Sequence, residues 1–368
     1  MVIFMYKAFK FRLYPNKKQA QFFNKTFGCC RFVYNQMLND RIESYKNTGK
    51  TSARTPAALK KEYPWLKEVD SLALSNEGNN LNTAYKAFFN KQNSFPKFKT
   101  KKNDKDSYTT FNLDNTIRLN KGMIRLPKIG QINCKTHRAI PEDWKLKSAT
   151  ISKTPTNKYF VSVLFEYEQQ IEPIKLNINN SLGIDYASNG FGITSDGEVL
   201  SSHRYFRENQ AKLAKEQKKL SRKKKGSKNY EKQRIKVALV HEHIVNCRKD
   251  QAHQLSARLA KQYDVICLED INLQNIAQSL KLGKSTNDNG FGMFREFLQY
   301  KMKDLGKQVI YIDKWQPTST VCSACGAYHK DIVNSLAIRE WTCPDCGTHH
   351  NRDTNAAENI LKAGIATL

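Results

Sequence analysis

Apolar and polar residues alternate at the start of the chain. Phe9, Phe11 and Leu13 are separated by Lys10, Arg12 and Tyr14, so residues 7–15 are expected to form a half-buried strand with a basic outer face. After Pro15-Asn16 the spacing becomes three and four. Phe23, Phe27, Cys30, Tyr34, Leu38, Ile42 and Tyr45 then mark one face of a helix, and these aromatics read as core packing. Residues 47–56 are a polar loop containing Gly and Pro. Beyond the 67–75 region, Leu81, Ala84, Tyr85, Phe88 and Phe89 define a second helix. Its opening, Ser75 to Asn80, reads as a capping and turn segment, although the amides of Asn76 and Asn80 also suit bidentate contact with adenine. Short strands are expected at 124–126, 132–135, 148–152 and 159–165. The N-terminal half is thus a small β-barrel or sheet split by a helical insert.

Residues 171–181 read as a linker. Leu182 and Ile184 then give a strand ending on Asp185. Two further short strands, 190–194 and 198–200, complete a meander through the Ser195-Asp196-Gly197 turn. From Arg204 to Lys261 the sequence is helix-forming, with a break at Gly226-Ser227. Apolar stripes at Leu213 and Leu220, and at Val237, Val240, Ile244, Cys247, Leu255 and Leu259, make this a helical hairpin. Val265 to Leu268 is a continuous apolar strand ending on Glu269. A Gly-, Ser- and Asn-rich loop over 281–292, placed to move over the site, leads to a helix at 294–303 and a strand at 307–312. Asn351 to Ala357 opens a last helix carrying Asp353. Taken singly, an acid at a strand end faces water, and Asp353 is a helix N-cap. Taken together, Asp185, Glu269 and Asp353 form a metal-site pattern, because paired divalent ions about 3.5–4 Å apart activate water and stabilise a leaving oxygen in phosphodiester hydrolysis. This order of elements is the layout of an RNase H-like (RuvC-type) nuclease.

Charge sharpens the picture. Sixty-one Lys and Arg against thirty-four Asp and Glu leave a formal charge of +27, which points to a polyanionic partner. The densest run, 218–228, contains Arg222, Lys223, Lys224, Lys225 and Lys228, and binding through it should weaken steeply with salt. Lys97 and Lys99 alternate with Phe95 and Phe98, a pattern suited to stacking and backbone contact. No apolar run approaches the roughly 18 residues of a membrane span, and MVIFMY is too short for a signal-peptide core. Nine cysteines, an odd number, fit a reducing cytosol, so the partner is nucleic acid rather than a membrane surface. Cys322-x-x-Cys325 and Cys343-x-x-Cys346, each followed by Gly and separated by 17 residues, read as a closed, structural Zn²⁺ site. His349 and His350 are the lesser candidates for a ligand. Cys29, Cys30, Cys134, Cys247 and Cys267 read as core residues. The chain has no Walker loop, dinucleotide fingerprint or nucleophile elbow.

Residues 7–35 (KAFKFRLYPNKKQAQFFNKTFGCCRFVYN), the 219–228 basic hinge, VICLEDIN at 265–272, GFGMFREFLQYK at 290–301, PTSTVCSACG at 317–326 and RDTNAAENIL at 352–361 together resemble the TnpB family. These are transposon-encoded RNA-guided DNA nucleases related to type V CRISPR effectors. The resemblance implies an α/β plus β architecture. Residues 1–16 and 97–172 would form a wedge β-barrel, 17–96 a helical recognition insert, 173–318 and 350–368 a RuvC-like nuclease domain, and 319–349 a zinc ribbon. It also implies a guide RNA from the transposon end, a double-stranded DNA target beside a short transposon-adjacent motif, and a prokaryotic, nucleoid-associated cytoplasmic protein. Asp185, Glu269 and Asp353 match the catalytic acids of a two-metal Mg²⁺ site, and the four cysteines match the zinc ligands. Asn76, Asn80, Tyr108 and Thr109 fall in regions that read the adjacent motif, and Arg352 is placed to contact the scissile phosphate. The sequence departs from the family pattern at Asn351, where an acid is common, and at Ala187, where Gly is common. The alternatives are a nuclease-inactive, guide-directed repressor and, fitting less well, a DNA transposase with the same nuclease fold.

Overall fold

The computed structural model describes residues 2–102, 105–170, 176–187, 190–273, 275, 278, 283, 288–332 and 337–368. The chain divides into two compact units, Met1–Gln170 and Ile171–Leu368.

In the first unit, β1 (Val2–Tyr14) buries Phe9, Phe11 and Leu13 while Lys10 and Tyr14 stay exposed, as the alternation requires. The strands β2 (Ser107–Phe111), β3 (Arg118–Asn120), β4 (Met123–Leu126), β5 (Gly130–Lys135), β6 (Lys145–Lys153) and β7 (Tyr159–Gln170) join it in one sheet of order β2-β6-β7-β1-β5-β4-β3. Its pairings are all antiparallel. No ladder joins β2 to β3 among the described residues, so the expected barrel is, in its hydrogen bonds, an open sheet.

The insert begins with α1 (Lys17–Thr48), opened by a reciprocal capping box between Asn16 and Gln19. It continues through α2 (Pro56–Glu62), a 3₁₀ turn (Pro64–Glu68) and α3 (Ser71–Phe89). The segment 75–80, expected as a capping turn, lies inside α3. Asp70 is the N-cap, its carboxylate accepting from the Leu72 amide at 3.1 Å and from the Thr110 hydroxyl.

The second unit is built on β8 (Ser181–Asp185), β9 (Gly190–Thr194), β10 (Val199–Ser201), β11 (Val265–Glu269) and β12 (Gln308–Ile312), in the order β10-β9-β8-β11-β12. The meander is antiparallel, whereas β11 runs parallel to both β8 and β12. Val265 to Leu268 are all buried, as a central parallel strand with both faces covered demands. Between β10 and β11 stand α4 (Tyr205–Ser221) and α5 (Lys228–Gln262), the expected hairpin, with Ser227 capping α5.

The helix α6 (Phe291–Asp304) starts earlier than its periodicity indicated and takes up the last two residues of the expected mobile loop. Residues 281, 282 and 284–287 of that loop lie outside the described residues. Its described end is anchored. Buried Asp288 accepts from Arg248 at 2.6 Å and from the amides of Phe206 and Arg207, and Asn289 donates to the Gly190 carbonyl at 2.9 Å. Two short strands, β13 (Glu340–Thr342) and β14 (His349–Asn351), pair antiparallel and lead into α7 (Arg352–Ile365). No helix among the described residues is long and apolar enough to cross a membrane.

Candidate functional site

Parallel pairing of β8 with β11 sets Ile184 opposite Leu268, so Asp185 and Glu269 emerge side by side at the carboxyl ends of neighbouring strands, about 4.8 Å apart in the ladder direction. The helix α7 crosses the same two strands on glycines. A Cβ on Gly183 would lie 2.0 Å from the Ala357 carbonyl oxygen, and one on Gly364 would lie 2.3 Å from Cys267 Sγ. Asp353 stands one turn before Ala357, about 6 Å along the axis, and Asp185 lies two residues, about 6.6 Å, beyond Gly183. The three expected acids converge. Burial first, and then the charges of Glu269 and Asp353, push the Asp185 carboxyl well above its ordinary range, with Arg352 opposing. Burial likewise raises Glu269, against a hydrogen bond from Thr318. Carboxylates gathered at neighbouring strand ends, offering only oxygen donors, suit a hard divalent cation.

Asp353 is not the helix cap. Asn351 caps α7, its Oδ1 accepting from the amides of Asp353 and Thr354 at 3.2 Å each. Asn and Asp serve equally well in that position, so the departure at 351 costs the fold nothing. Asp353 instead accepts from Arg339 Nη1 at 2.9 and 3.1 Å. Sequence reasoning missed Arg339, and also Thr318, whose hydroxyl donates to Glu269 Oε1 at 2.9 Å. The signal available for Thr318 was its place in the PTST run just before the first cysteine pair.

Among the described residues, one set of candidate metal ligands has its donor atoms all within 4.8 Å of one another: Cys322, Cys325, Cys343 and Cys346. The pairs interleave, with Sγ separations of 3.7 Å for Cys322–Cys346 and for Cys325–Cys343. Gly326 and Gly347, at φ +81° and +72°, close the two knuckles in the left-handed region that glycine supplies at no steric cost. Contact with Thr348 pulls the Cys346 thiol down to about 6, toward the thiolate a metal needs. His350 Nε2 lies 3.0 Å from Cys322 Sγ and His329 Nε2 lies 3.3 Å from Cys343 Sγ, outside a donor set that is already complete. His349 is exposed beside Glu340 and Thr342. Four thiolate donors without an open position fit structural Zn²⁺.

The expected nucleic-acid residues divide. Asn80, Lys99, Tyr108 and Thr109, from three separate stretches, line one cavity of about 460 Å³ in the first unit, together with Arg31 and Glu77. Asn76 is 7% exposed and outside that lining, so direct base contact from it is corrected to a buried role in α3. Tyr108 is 4% exposed and packs on Phe23 and Phe27, presenting little beyond its edge. Lys99 neutralises buried Glu77 at 2.7 Å and lies 4.1 Å over the Tyr34 ring, so it is a structural cation first. Thr109 shares its hydroxyl with Thr150 at 2.8 Å. Lys97 is exposed, as are Arg222, Lys223, Lys224, Lys225 and Lys228. Arg352 is half-buried and near enough to Asp185 to offset its charge.

Comparison with known proteins identifies the family. A family profile of the OrfB/IS605 type described as "Probable transposase" matches residues 163–280. A "Helix-turn-helix domain" of the same type matches residues 1–50, which here form β1 and α1. A "Cas12f1-like, TNB domain" profile matches residues 291–360. A Streptomyces pristinaespiralis protein named "Putative RNA-guided DNA endonuclease" is 34% identical over 98% of this chain and 90% of its own length. Its Escherichia coli (strain K12) counterpart, InsQ, is 31% identical over 98% and 93%. The Cas12f1 chain solved with sgRNA and target DNA superposes at a TM-score of 0.58 over 97% of this chain and 99% of that one, at 13% identity, and so shares its fold. The chain belongs to the TnpB (OrfB, IS605-type) family.

Proposed function

We propose that this protein is a transposon-encoded endonuclease that cuts DNA at sites selected by a guide RNA derived from its transposon end. The observation that supports the reading is the approach of Asp185, Glu269 and Asp353 from two adjacent strand ends and a helix start, where burial and then the charges of the other two acids raise Asp185. In this reading the five-stranded sheet with its helical hairpin is an RNase H-like (RuvC-type) nuclease domain, and the cysteine-bound segment is a zinc ribbon inserted before α7. A pair of Mg²⁺ ions bound at the acids would supply an activated water and charge compensation for the leaving oxygen. The protein's own groups do the rest. Asp185, between the other two acids, holds the central position. Arg352 balances charge at Asp185, and in this reading it meets the phosphate under attack. The exposed cations at 222–225 and 228 grip backbone phosphates without reading bases.

Guide pairing then reads most of the target, and the protein reads only a short flanking motif on the duplex. The cavity containing Asn80 and Thr109 is the proposed place for that readout. The reading places the protein in the prokaryotic cytoplasm, on the nucleoid. The repressor alternative is not favoured, since the chain keeps all three acids and Asn351 has a capping role.

The test is cleavage of a plasmid library, carrying a guide-matched target beside randomised flanking bases, by protein co-expressed with its native flanking RNA, in Mg²⁺ or in EDTA. Metal-dependent cuts at matched targets are expected, and they should disappear in Asp185→Ala. Guide-dependent binding without cutting in Mg²⁺ or Mn²⁺ would replace the nuclease with the repressor.

A further inference from the structure

One face of α7 holds the segment 318–323 through three side chains spaced i, i+4 and i+7. Asn355 Nδ2 donates to the Val321 carbonyl at 2.8 Å, and its Oδ1 accepts from the Ser323 amide at 2.8 Å. Asn359 Nδ2 donates to the carbonyls of Thr318 at 2.8 Å and Val321 at 2.7 Å, and Lys362 donates to the Ser323 carbonyl. The segment so clamped starts at Thr318, which donates to Glu269, and contains Cys322, a ligand of the cysteine cluster. Between the two cysteine pairs, the Arg339 carbonyl accepts from the Arg352 amide at 2.8 Å, and the Arg339 side chain holds Asp353. The entry of the cysteine-bound segment and Arg339 in its interior are therefore each tied to an acid of the candidate active site.

A glutamate on a strand end has three rotatable torsions and, unheld, would sweep a wide arc. Thr318 is a β-branched residue with a stiff χ1. It is 8% exposed, and its own carbonyl is pinned to α7. Its hydroxyl fixes Oε1 of Glu269 and leaves Oε2 outside that hydrogen bond.

We propose that Thr318 is a positioning residue that holds Glu269 in its ligating orientation, and that the Asn355–Asn359 clamp makes this orientation depend on the cysteine-bound segment folded beside it. The inference rests on the metal-nuclease reading of the acids. Hydrogen-bond partners of ligating carboxylates are worth about 10–100-fold in metal affinity or activity.

The experiment titrates Mn²⁺ into the full chain without RNA, following the free Mn²⁺ electron paramagnetic resonance signal. It is paired with single-turnover cleavage by the guide-RNA complex as a function of metal concentration. Thr318→Val should raise the half-saturating Mn²⁺ concentration about 10-fold in both measurements, with the rate recovering at high metal. Thr318→Ser, which restores the hydroxyl, should stay within about threefold of the parent, and zinc content and guide-RNA affinity should not change. If Thr318→Val lowers the melting temperature, Asn359→Ala takes its place. It removes the shorter of the two amide contacts on the Thr318 carbonyl, from a half-buried position, and a metal shift in the same direction is expected. Unchanged metal dependence in a folded Thr318→Val or Asn359→Ala protein would overturn the proposal. Asp185→Ala is the reference: if it leaves Mn²⁺ binding intact, the metal-nuclease reading has failed rather than the positioning role.

Discussion

Replacing Gly183 with Ala tests how tightly the last helix must sit on the sheet. The added Cβ would stand 2.0 Å from the Ala357 carbonyl oxygen and 2.9 Å from both Cβ and N of Leu361. Ordinary contact begins at 3.4 Å, so α7 must retreat by about 1.4 Å, the difference between 3.4 and 2.0, at that point. The obstruction is main chain on both sides, so no rotamer change relieves it. Asp353 is one helical turn from Ala357 and moves with the helix, while Asp185 is two residues from the substituted position and stays with the strand. A misplacement of about 1 Å at a catalytic centre costs on the order of 100-fold in rate. The overpacking itself should cost about 1–3 kcal/mol of stability. The assay is single-turnover cleavage at saturating guide RNA and target, with a thermal melt on the same preparation. Gly28→Ala, where nothing lies within 4 Å of the new Cβ, is the control and should gain about 0.5–1 kcal/mol from helix propensity without loss of cleavage. A folded Gly183→Ala protein cutting within threefold of the parent would refute the placement of Asp353 by this contact.

Further outcomes are expected. Elemental analysis should find one zinc per chain, and Cys343→Ser should lose it and melt at lower temperature, since structural zinc binding is folding free energy. Asp185 is held above its ordinary value of 3.8, so the folded state binds its proton more tightly than the unfolded state does. The contribution of Asp185 to the stability of the metal-free protein should therefore be greatest below 3.8 and be lost as pH rises through the folded value. Asp185→Asn should abolish that decline and stabilise the metal-free protein at neutral pH by about 0.5–2 kcal/mol, and a pH series of melts that runs parallel for the two proteins would contradict it. Replacing Arg222, Lys223, Lys224 and Lys225 with Ala should flatten the slope of log K against log salt by about 0.9 for each lost duplex phosphate contact, or about 0.7 for single-stranded RNA or DNA. An unchanged slope in a filter-binding series would make the hinge a solvated turn.

Much of the second unit was legible because its signals are local. The VICLE run is both a buried strand and the carrier of an acid, and the two cysteine pairs state their geometry in their spacing. The start of α3 was misplaced because Asp70 caps it five residues before the amide-rich segment that drew attention. Lys99 looked like a phosphate ligand because its partner, buried Glu77, lies on a helix 22 residues earlier and only packing brings them together. Thr318 and Arg339 carry no periodicity of their own. Their roles follow from which face α7 presents, and that was partly written in the polar spacing of Asn355, Asn359 and Lys362. The glycines at 183 and 364 were invisible, because a close approach between backbones leaves no mark except a missing side chain.

The seat of α7 also sets a timetable. Asp185 and Glu269 leave the ribosome early and sit on strands that can pair as soon as both have emerged, but Asp353 arrives on a helix translated after everything it rests upon. In the proposed reading the nascent chain exposes its basic hinge while it still lacks the third acid, so capture of the guide would precede the ability to cut, and a prematurely terminated chain that ends before α7 would bind nucleic acid without cutting it.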